Sequence, residues 1–291
     1  MAKTAGACMG VTRALNMAVR AAEQGAPQPI VTLGQLIHNN QAVKALAERG
    51  VGVADSVDEI TSGTALIRAH GVTPGVKEDL ASRGVNVIDA TCPNVVRNQR
   101  SIAEWTAKGY SAVVVGDLQH AEITGLLGHA ESPPPPEAEG YREPVVISSV
   151  AELEGLELPE LVVVIAQTTF SSARYAEIVE AVRSRRPDAV VFESICASTA
   201  DRQEEIAELA AECDAVVVVG GRHSANTLRL AEISRSSGVP TFHVEEAEEL
   251  REEEFRGTKV VGVTAGASTP AWVTEEVADR LALMDPYGGE T

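Results

Sequence analysis

The sequence predicts an α/β fold of three related units, each built on a small parallel sheet. Three observations predict it. Short β-branched runs alternate with helical patterns along the whole chain. Three of those runs close on glycine in the same way: Ile30-Val-Thr-Leu-Gly34, Ala112-Val-Val-Val-Gly116 and Ala215-Val-Val-Val-Val-Gly220. A cysteine precedes each run at a matching distance: Cys8 stands 30 residues before His38, Cys92 stands 28 before His120, and Cys196 stands 28 before Ser224. His38, His120 and Ser224 each lie four residues past their glycine, and Asn40, Glu122 and Asn226 two further on. The repeat divides the chain into units at 1–92, 93–195 and 196–291.

Each element follows from local pattern. In the first unit, residues 11–22 carry apolar side chains at helical spacing and Gly25 supplies the stop. Residues 41–49 read as a helix ending at Gly50, 51–54 and 64–68 as strands, and 76–83 as a helix stopped by Gly84. A strand over 85–89 then runs toward Cys92. The second unit repeats the order, with Pro93 at a first helical position. Its Pro-rich stretch, 132–144, reads as a stiff exposed loop. A strand over 161–166 ends at Gln167-Thr168-Thr169, and one from Ala189 runs toward Cys196. The third unit closes with a strand over 259–264, the turn Ala265-Gly-Ala-Ser268, and a helix over 271–283.

The 291 residues suffice for three domains of roughly 90–100 residues. A formal net charge of −18 argues against nucleic acid or an anionic membrane surface as a partner. The acidic residues concentrate in helical stretches and read as solvated faces. No apolar run approaches the roughly 20 residues that span a bilayer, and the N-terminus lacks the apolar core of a secretory signal. A cytoplasmic protein is expected. Four cysteines in that setting do not suggest disulfides, and their spacings are not those of zinc ribbons or fingers.

Three such units folding about a pseudo-threefold axis would carry Cys8, Cys92 and Cys196 to one point. Three thiolates match three corners of a cubane iron–sulfur cluster and leave one iron open for chemistry. A three-cysteine zinc site with a histidine as fourth ligand is also open at this stage. Cys213 falls outside the register and reads as a structural thiol at the start of a strand. His70, Thr168 and Ser268 each follow a strand and precede a helix, and ligands of open α/β sheets bind beyond the carboxyl ends of strands.

His38, His70 and His120 therefore read as ligand contacts, whose protonated form a phosphate would favour. His129, His223 and His243 lie outside the register and read as structural. Ser224, Asn226 and Ser268 suit helix capping, and a helix N-terminus is also an anion site, so both readings stand together. Glu122 is the one titratable carboxyl among the equivalent positions, which makes it the leading proton donor.

These motifs resemble those of a known family. Gly6-Ala-Cys8-Met-Gly-Val-Thr-Arg13-Ala, Leu36-Ile-His38-Asn39, Ala69-His70-Gly71-Val72 and Asp89-Ala-Thr-Cys92-Pro93 come first. His120-Ala-Glu122, Gln167-Thr168-Thr169, Ile195-Cys196, Ser224-Ala-Asn226 and Val263-Thr-Ala-Gly-Ala-Ser268 follow. Their order and spacing resemble the LytB/IspH family of 4-hydroxy-3-methylbut-2-enyl diphosphate reductases up to about Leu283.

The resemblance implies three α/β units around a central iron–sulfur cluster. It implies the last step of the methylerythritol phosphate route to isoprenoids: an allylic alcohol diphosphate loses its hydroxyl as water, with two electrons and two protons. Carried over by motif, Cys8, Cys92 and Cys196 hold a [4Fe-4S] cluster. His38, His70, His120, Ser224, Ala225, Asn226 and Ser268 form the diphosphate-binding set, and Thr168 also contacts substrate. Glu122, helped by Thr168, delivers the proton. An external ferredoxin or flavodoxin is the implied electron donor.

Three departures stand out: Ala225 replaces a serine whose backbone amide remains able to face the diphosphate, Ala121 replaces a proline, and Ala7 replaces a phenylalanine beside the first cysteine. Two rival readings share the three-cysteine pattern. A quinolinate-synthase-like enzyme would act on small carboxylates and call for Arg or Lys at the registered positions, which here are His, Ser and Asn. A non-catalytic iron–sulfur sensor has little need of a registered glutamate.

Overall fold

The computed structural model describes residues 1–130 and 140–284. Most of the Pro-rich loop expected over 132–144 lies outside the described residues. Two compact units emerge: a larger one of residues 12–36 and 45–196, and a smaller one of residues 1–11, 37–44 and 197 onward.

The larger unit holds two four-stranded sheets. In the first, β1 (Ile30–Leu33), β2 (Val51–Ala54), β3 (Thr64–Ile67) and β4 (Asn86–Asp89) lie in the order β2-β1-β3-β4. In the second, β5 (Ser111–Val115), β6 (Val145–Ile147), β7 (Val162–Ala166) and β8 (Val190–Val191) repeat that order as β6-β5-β7-β8. The smaller unit holds β9 (Ala215–Val219), β10 (Thr241–Val244) and β11 (Val261–Ala265) in the order β10-β9-β11. Every pairing is parallel.

The N-terminal segment runs along the free side of β11. Ala2 N–H donates to Val263 O at 2.8 Å, and Cys8 N–H donates to Ala267 O at 3.0 Å. It thus occupies the place that β4 and β8 take beside β3 and β7.

The valine-rich strands are buried along their full length because helices cover both faces. Val113, Val115, Val162 and Val164 face one apolar cluster of the larger unit, while Ala112, Val114, Val163 and Ile165 face another. The same alternation splits β9, with Val217 and Val219 on one side and Val216 and Val218 on the other.

Ten α-helices accompany the strands among the described residues: α1 (Met9–Glu23), α2 (Asn40–Ala47), α3 (Pro74–Ser82), α4 (Pro93–Ala107), α5 (Ala121–Ala130), α6 (Val150–Glu154), α7 (Ser172–Arg185), α8 (Ala197–Glu212), α9 (Ala225–Ser236) and α10 (Ala271–Ala282). The glycines that close the central strands let the next helix approach. A Cβ on Gly116 would lie 2.5 Å from Ile123 Cδ1 of α5, and one on Gly220 would lie 2.8 Å from Thr227 Oγ1 of α9. Cys213 lies just ahead of β9 rather than within it, half-buried beside Leu209 and Gly262. Among the described residues, no helix is long and apolar enough to cross a membrane.

Candidate active site

Cys8, Cys92 and Cys196 each stand immediately before a helix: α1, α4 and α8. Their backbones share one register. Cys92 N–H donates to Ala69 O at 2.9 Å, Cys196 N–H to Thr168 O at 3.0 Å, and Cys8 N–H to Ala267 O at 3.0 Å. Each accepting carbonyl belongs to the second residue past the end of β3, β7 or β11. None of the three is in a disulfide, and all are half-buried. A helix N-terminus carries partial positive charge, which complements an anionic thiolate site. Thiolates outside disulfides are the soft donors that an iron–sulfur cluster takes.

A long polar side chain follows each of these cysteines by five or six residues and steadies the approach to another. Arg13 Nη1 donates to Thr91 O at 3.2 Å, just ahead of Cys92. Asn98 Nδ2 donates to Ser194 O at 3.0 Å, two residues ahead of Cys196. Arg202 Nη2 donates to Gly6 O at 2.7 Å, two residues ahead of Cys8. In every case a helix that begins at one cysteine hydrogen-bonds the backbone leading into the next.

In the larger unit, Glu122 sits in the first turn of α5 and is only 1 % exposed. Thr168 holds both of its oxygens: the amide donates to Oε1 and the hydroxyl to Oε2, each at 2.7 Å. Burial pushes the Glu122 carboxyl up to about 7, against the downward pull of those two hydrogen bonds. A carboxyl poised there exchanges protons near neutral pH. His70 and His120 meet edge to face with ring centroids 5.3 Å apart, and His120 Nδ1 accepts from Glu122 N–H at 3.2 Å.

In the smaller unit, Ser224 caps α9 by accepting from Thr227 N–H at 3.4 Å. Ser268 Oγ donates to Ser224 Oγ at 3.2 Å and to His38 O at 3.3 Å. A Cβ on Gly221 would lie 2.5 Å from that same His38 carbonyl, so glycine is what allows the approach. Asn226 is 3 % exposed, and both polar atoms of its carboxamide lack a partner among the described residues. A buried amide left unsatisfied costs about 1–3 kcal/mol, so the carboxamide does not stabilise the ligand-free fold.

Backbone register refines the spacing-based alignment at two places. Asn39, His120 and Ser224 accept the first helical hydrogen bond, from Val43, Thr124 and Leu228. Counting four residues from glycine lands on His38 instead, because the first copy carries one extra residue in its turn. Likewise Thr168 aligns with Ala69 and Ala267, one residue ahead of His70 and Ser268.

The model of the LytB protein family matches residues 1–282 of this chain. The chain belongs to that family. It is 42% identical over 286 residues to the 4-hydroxy-3-methylbut-2-enyl diphosphate reductase of Citrifermentans bemidjiense, covering 98% of this chain and 97% of that one. It is 44% identical over 289 residues to the reductase of the same name from an Anaeromyxobacter species, covering 97% and 95%. Among solved structures, an (E)-4-hydroxy-3-methyl-but-2-enyl diphosphate reductase, described as the terminal enzyme of the non-mevalonate pathway, shares 37% identity. It aligns with a TM-score of 0.69 over 97% of each chain. A reductase structure from Plasmodium falciparum aligns with a TM-score of 0.87 over 96% of this chain and 86% of that one; at 24% identity it bears on the fold alone.

In this LytB chain the larger unit carries Cys92, Cys196, His70, His120, Glu122 and Thr168, and the smaller carries Cys8, His38, Ser224, Ala225, Asn226 and Ser268. Asn94, Asn98 and Arg202 escaped the sequence reading. A signal for the last two was available: each lies six residues past a registered cysteine. Nothing in the sequence marks Asn94. The remaining histidines bond to nearby backbone or face solvent: His129 Nδ1 lies 2.7 Å from Gly125 O, His243 Nε2 lies 2.8 Å from Gly220 O, and His223 is exposed.

Proposed function

We propose that this chain catalyses the reductive dehydroxylation of 4-hydroxy-3-methylbut-2-enyl diphosphate to isopentenyl and dimethylallyl diphosphate. The C–O bond breaks, two electrons and two protons enter, and the oxygen leaves as water. Cys8, Cys92 and Cys196 are the ligands of a [4Fe-4S] cluster, which when bound supplies the electrons and one iron open to an oxygen ligand. The chain's three related units are 1–92, 93–195 and 196–291; Cys8 and Cys92 open and close the first, Cys196 opens the third, and residues 2–8 lie along the third sheet.

The buried Glu122–Thr168 pair is the observation that carries this reading. Hydroxide leaves poorly, and an acid near pKa 7 with its carboxyl fixed at both oxygens can protonate it as it departs. Thr168 Oγ1 orients that carboxyl and sits where it can relay the proton. His38, His70 and His120 donate to the diphosphate. Ser224, Asn226 and Ser268 add hydroxyl and carboxamide donors, and the Ala225 amide at the α9 N-terminus adds a backbone donor. An external ferredoxin or flavodoxin delivers the electrons. Cysteines outside any disulfide suit a reducing cytoplasm, where we place the reaction.

The test uses anaerobically reconstituted protein. Iron and sulfide content and the Mössbauer spectrum are recorded with and without the allylic diphosphate, and products are measured with a chemical reductant. The expected result is about four irons per chain, one of them shifting on substrate addition, with both five-carbon diphosphates formed. Bound zinc, or a cluster that ignores the diphosphate and forms no product, would sink the reading.

A further inference from the structure

Asn94 is the second residue of α4, two places after Cys92, and its side chain is half-buried. Its Nδ2 lies 3.1 Å from Cys196 Sγ. The carboxamide N–H donates and the sulfur, as a thiolate ligand, can only accept. The backbone that carries the sulfur is in turn held, because Cys196 N–H donates to Thr168 O at 3.0 Å. Asparagine is a poor residue for helical turns unless its side chain has a local backbone partner. Here the carboxamide reaches across to a thiol 102 residues away. That choice needs a reason outside the helix.

We propose that Asn94 tunes the reduction potential of the metal centre by donating a hydrogen bond to the Cys196 sulfur. This rests on the reading that Cys196 ligates an iron–sulfur cluster. Hydrogen bonds to cluster sulfurs are one of the determinants of potential, and polar groups just outside the ligands tune a metal site. The physical sense is definite. A donor at the sulfur draws charge away from iron and favours the more negative, reduced state, so it raises the potential. In a chain of net charge −18, a neutral donor at the ligand works against the surrounding negative field. Asn94 touches neither substrate nor reacting atoms, so it is a positioning residue acting through Cys196.

The test is an EPR-monitored redox titration of the reconstituted full chain, comparing wild type with Asn94→Leu and Asn94→Asp, with iron content measured alongside. Leucine matches the volume and removes the donor; aspartate keeps the shape and sets a negative oxygen against the sulfur. Both variants should retain wild-type iron content. Asn94→Leu should weaken the one-electron reduction equilibrium about fivefold to tenfold, tenfold being about 59 mV, and Asn94→Asp should weaken it further. A purely structural role would lower iron content and leave the potential where it is. A reduction equilibrium within a factor of two of wild type in both variants, at full iron content, would overturn the proposal.

Should the variants fail to load iron, the wild type decides. Pulsed EPR on the reduced cluster, with asparagine labelled by 15N in the side chain, should show coupling to the label, and its absence would overturn the proposal. A wild type that assembles no cluster at all would instead refute the function proposed above.

Discussion

Thr168 grips Glu122 at both oxygens, donating its amide to one and its hydroxyl to the other at 2.7 Å. The two donors come from one residue, so the carboxyl plane is fixed by a single stretch of backbone just past β7. That backbone is itself tied down, because the Thr168 carbonyl accepts from Cys196 N–H. Glu122 and Cys196 are therefore both hydrogen-bonded to one residue, Thr168. Replacing Glu122 with Gln keeps the shape and the contact with the Thr168 hydroxyl but removes the exchangeable proton. Turnover should fall roughly a hundredfold to ten-thousandfold while iron content and diphosphate binding stay near wild type. Steady-state assays with a binding titration check it; near-normal turnover would remove Glu122 from the chemistry.

The pH dependence follows from the same carboxyl, whose pKa burial raises from 4.5 to about 7. The protonated form is the active one, so turnover should decline as pH passes about 7. Thr168→Val removes the hydroxyl donor that favours the carboxylate, so the inflection should move to higher pH and turnover should drop. Glu122→Gln should abolish the inflection. A pH–rate profile that inflects at the same pH in all three proteins would contradict the assignment.

Stability carries the opposite sign from the usual carboxylate. Between pH 4.5 and about 7 the unfolded chain has released this proton and the native state has kept it. The unfolded state then binds fewer protons, so stability falls as pH rises through that window and levels off above it. At roughly 1.4 kcal/mol per pKa unit, the loss is about 3 kcal/mol. Denaturant unfolding of the metal-free protein at pH 5 and pH 8 should show wild type losing more stability than Glu122→Gln.

Arg202 is predicted to act through Cys8. Its guanidinium is buried at 6 % exposure and donates to Gly6 O at 2.7 Å. Arg202→Met keeps the stem and removes the fork, leaving the Gly6 carbonyl without that donor. Iron per chain after reconstitution should drop by half or more, while circular dichroism stays unchanged. Asn98→Leu, which frees Ser194 O ahead of Cys196, should do the same. Full iron loading in both variants would show that these contacts serve packing alone.

The central strands β5 and β9 were legible because valine runs closed by glycine have few other uses, whereas β6, β10 and the order of strands within each sheet carried no such mark. Gly34, Gly116 and Gly220 occupy one backbone position, each donating its N–H to the end of the neighbouring strand at Ala54, Ile147 or Val244. What spacing alone misjudged was register by one residue. His38 counts with His120 from glycine, yet Asn39 takes the capping place, with its side chain accepting from Ala42 N–H at 2.8 Å. A one-residue insertion in a turn is invisible to counting and obvious to a hydrogen bond. The polar residues that steady the cysteines were hidden for a different reason. Their partners are backbone carbonyls 78 to 196 residues away, and a carbonyl leaves no mark in a sequence. The N-terminal strand position beside β11 was equally hidden, since residues 1–8 carry no β-branched run.

Asn226 offers a prediction in which binding and stability part company. Its carboxamide is buried with neither atom partnered, an arrangement that costs the ligand-free protein stability. Asn226→Leu replaces it with an apolar side chain of similar size, removing the desolvation penalty. The melting temperature of the ligand-free protein should stay level or rise by a few degrees, as about 1 kcal/mol would give. Diphosphate binding should weaken tenfold or more, because a donor to the anion is gone. Calorimetric titration with the allylic diphosphate, beside thermal unfolding without it, reads both. A variant that binds normally would take Asn226 out of the diphosphate set, and one that loses stability sharply would show that the carboxamide serves the fold instead.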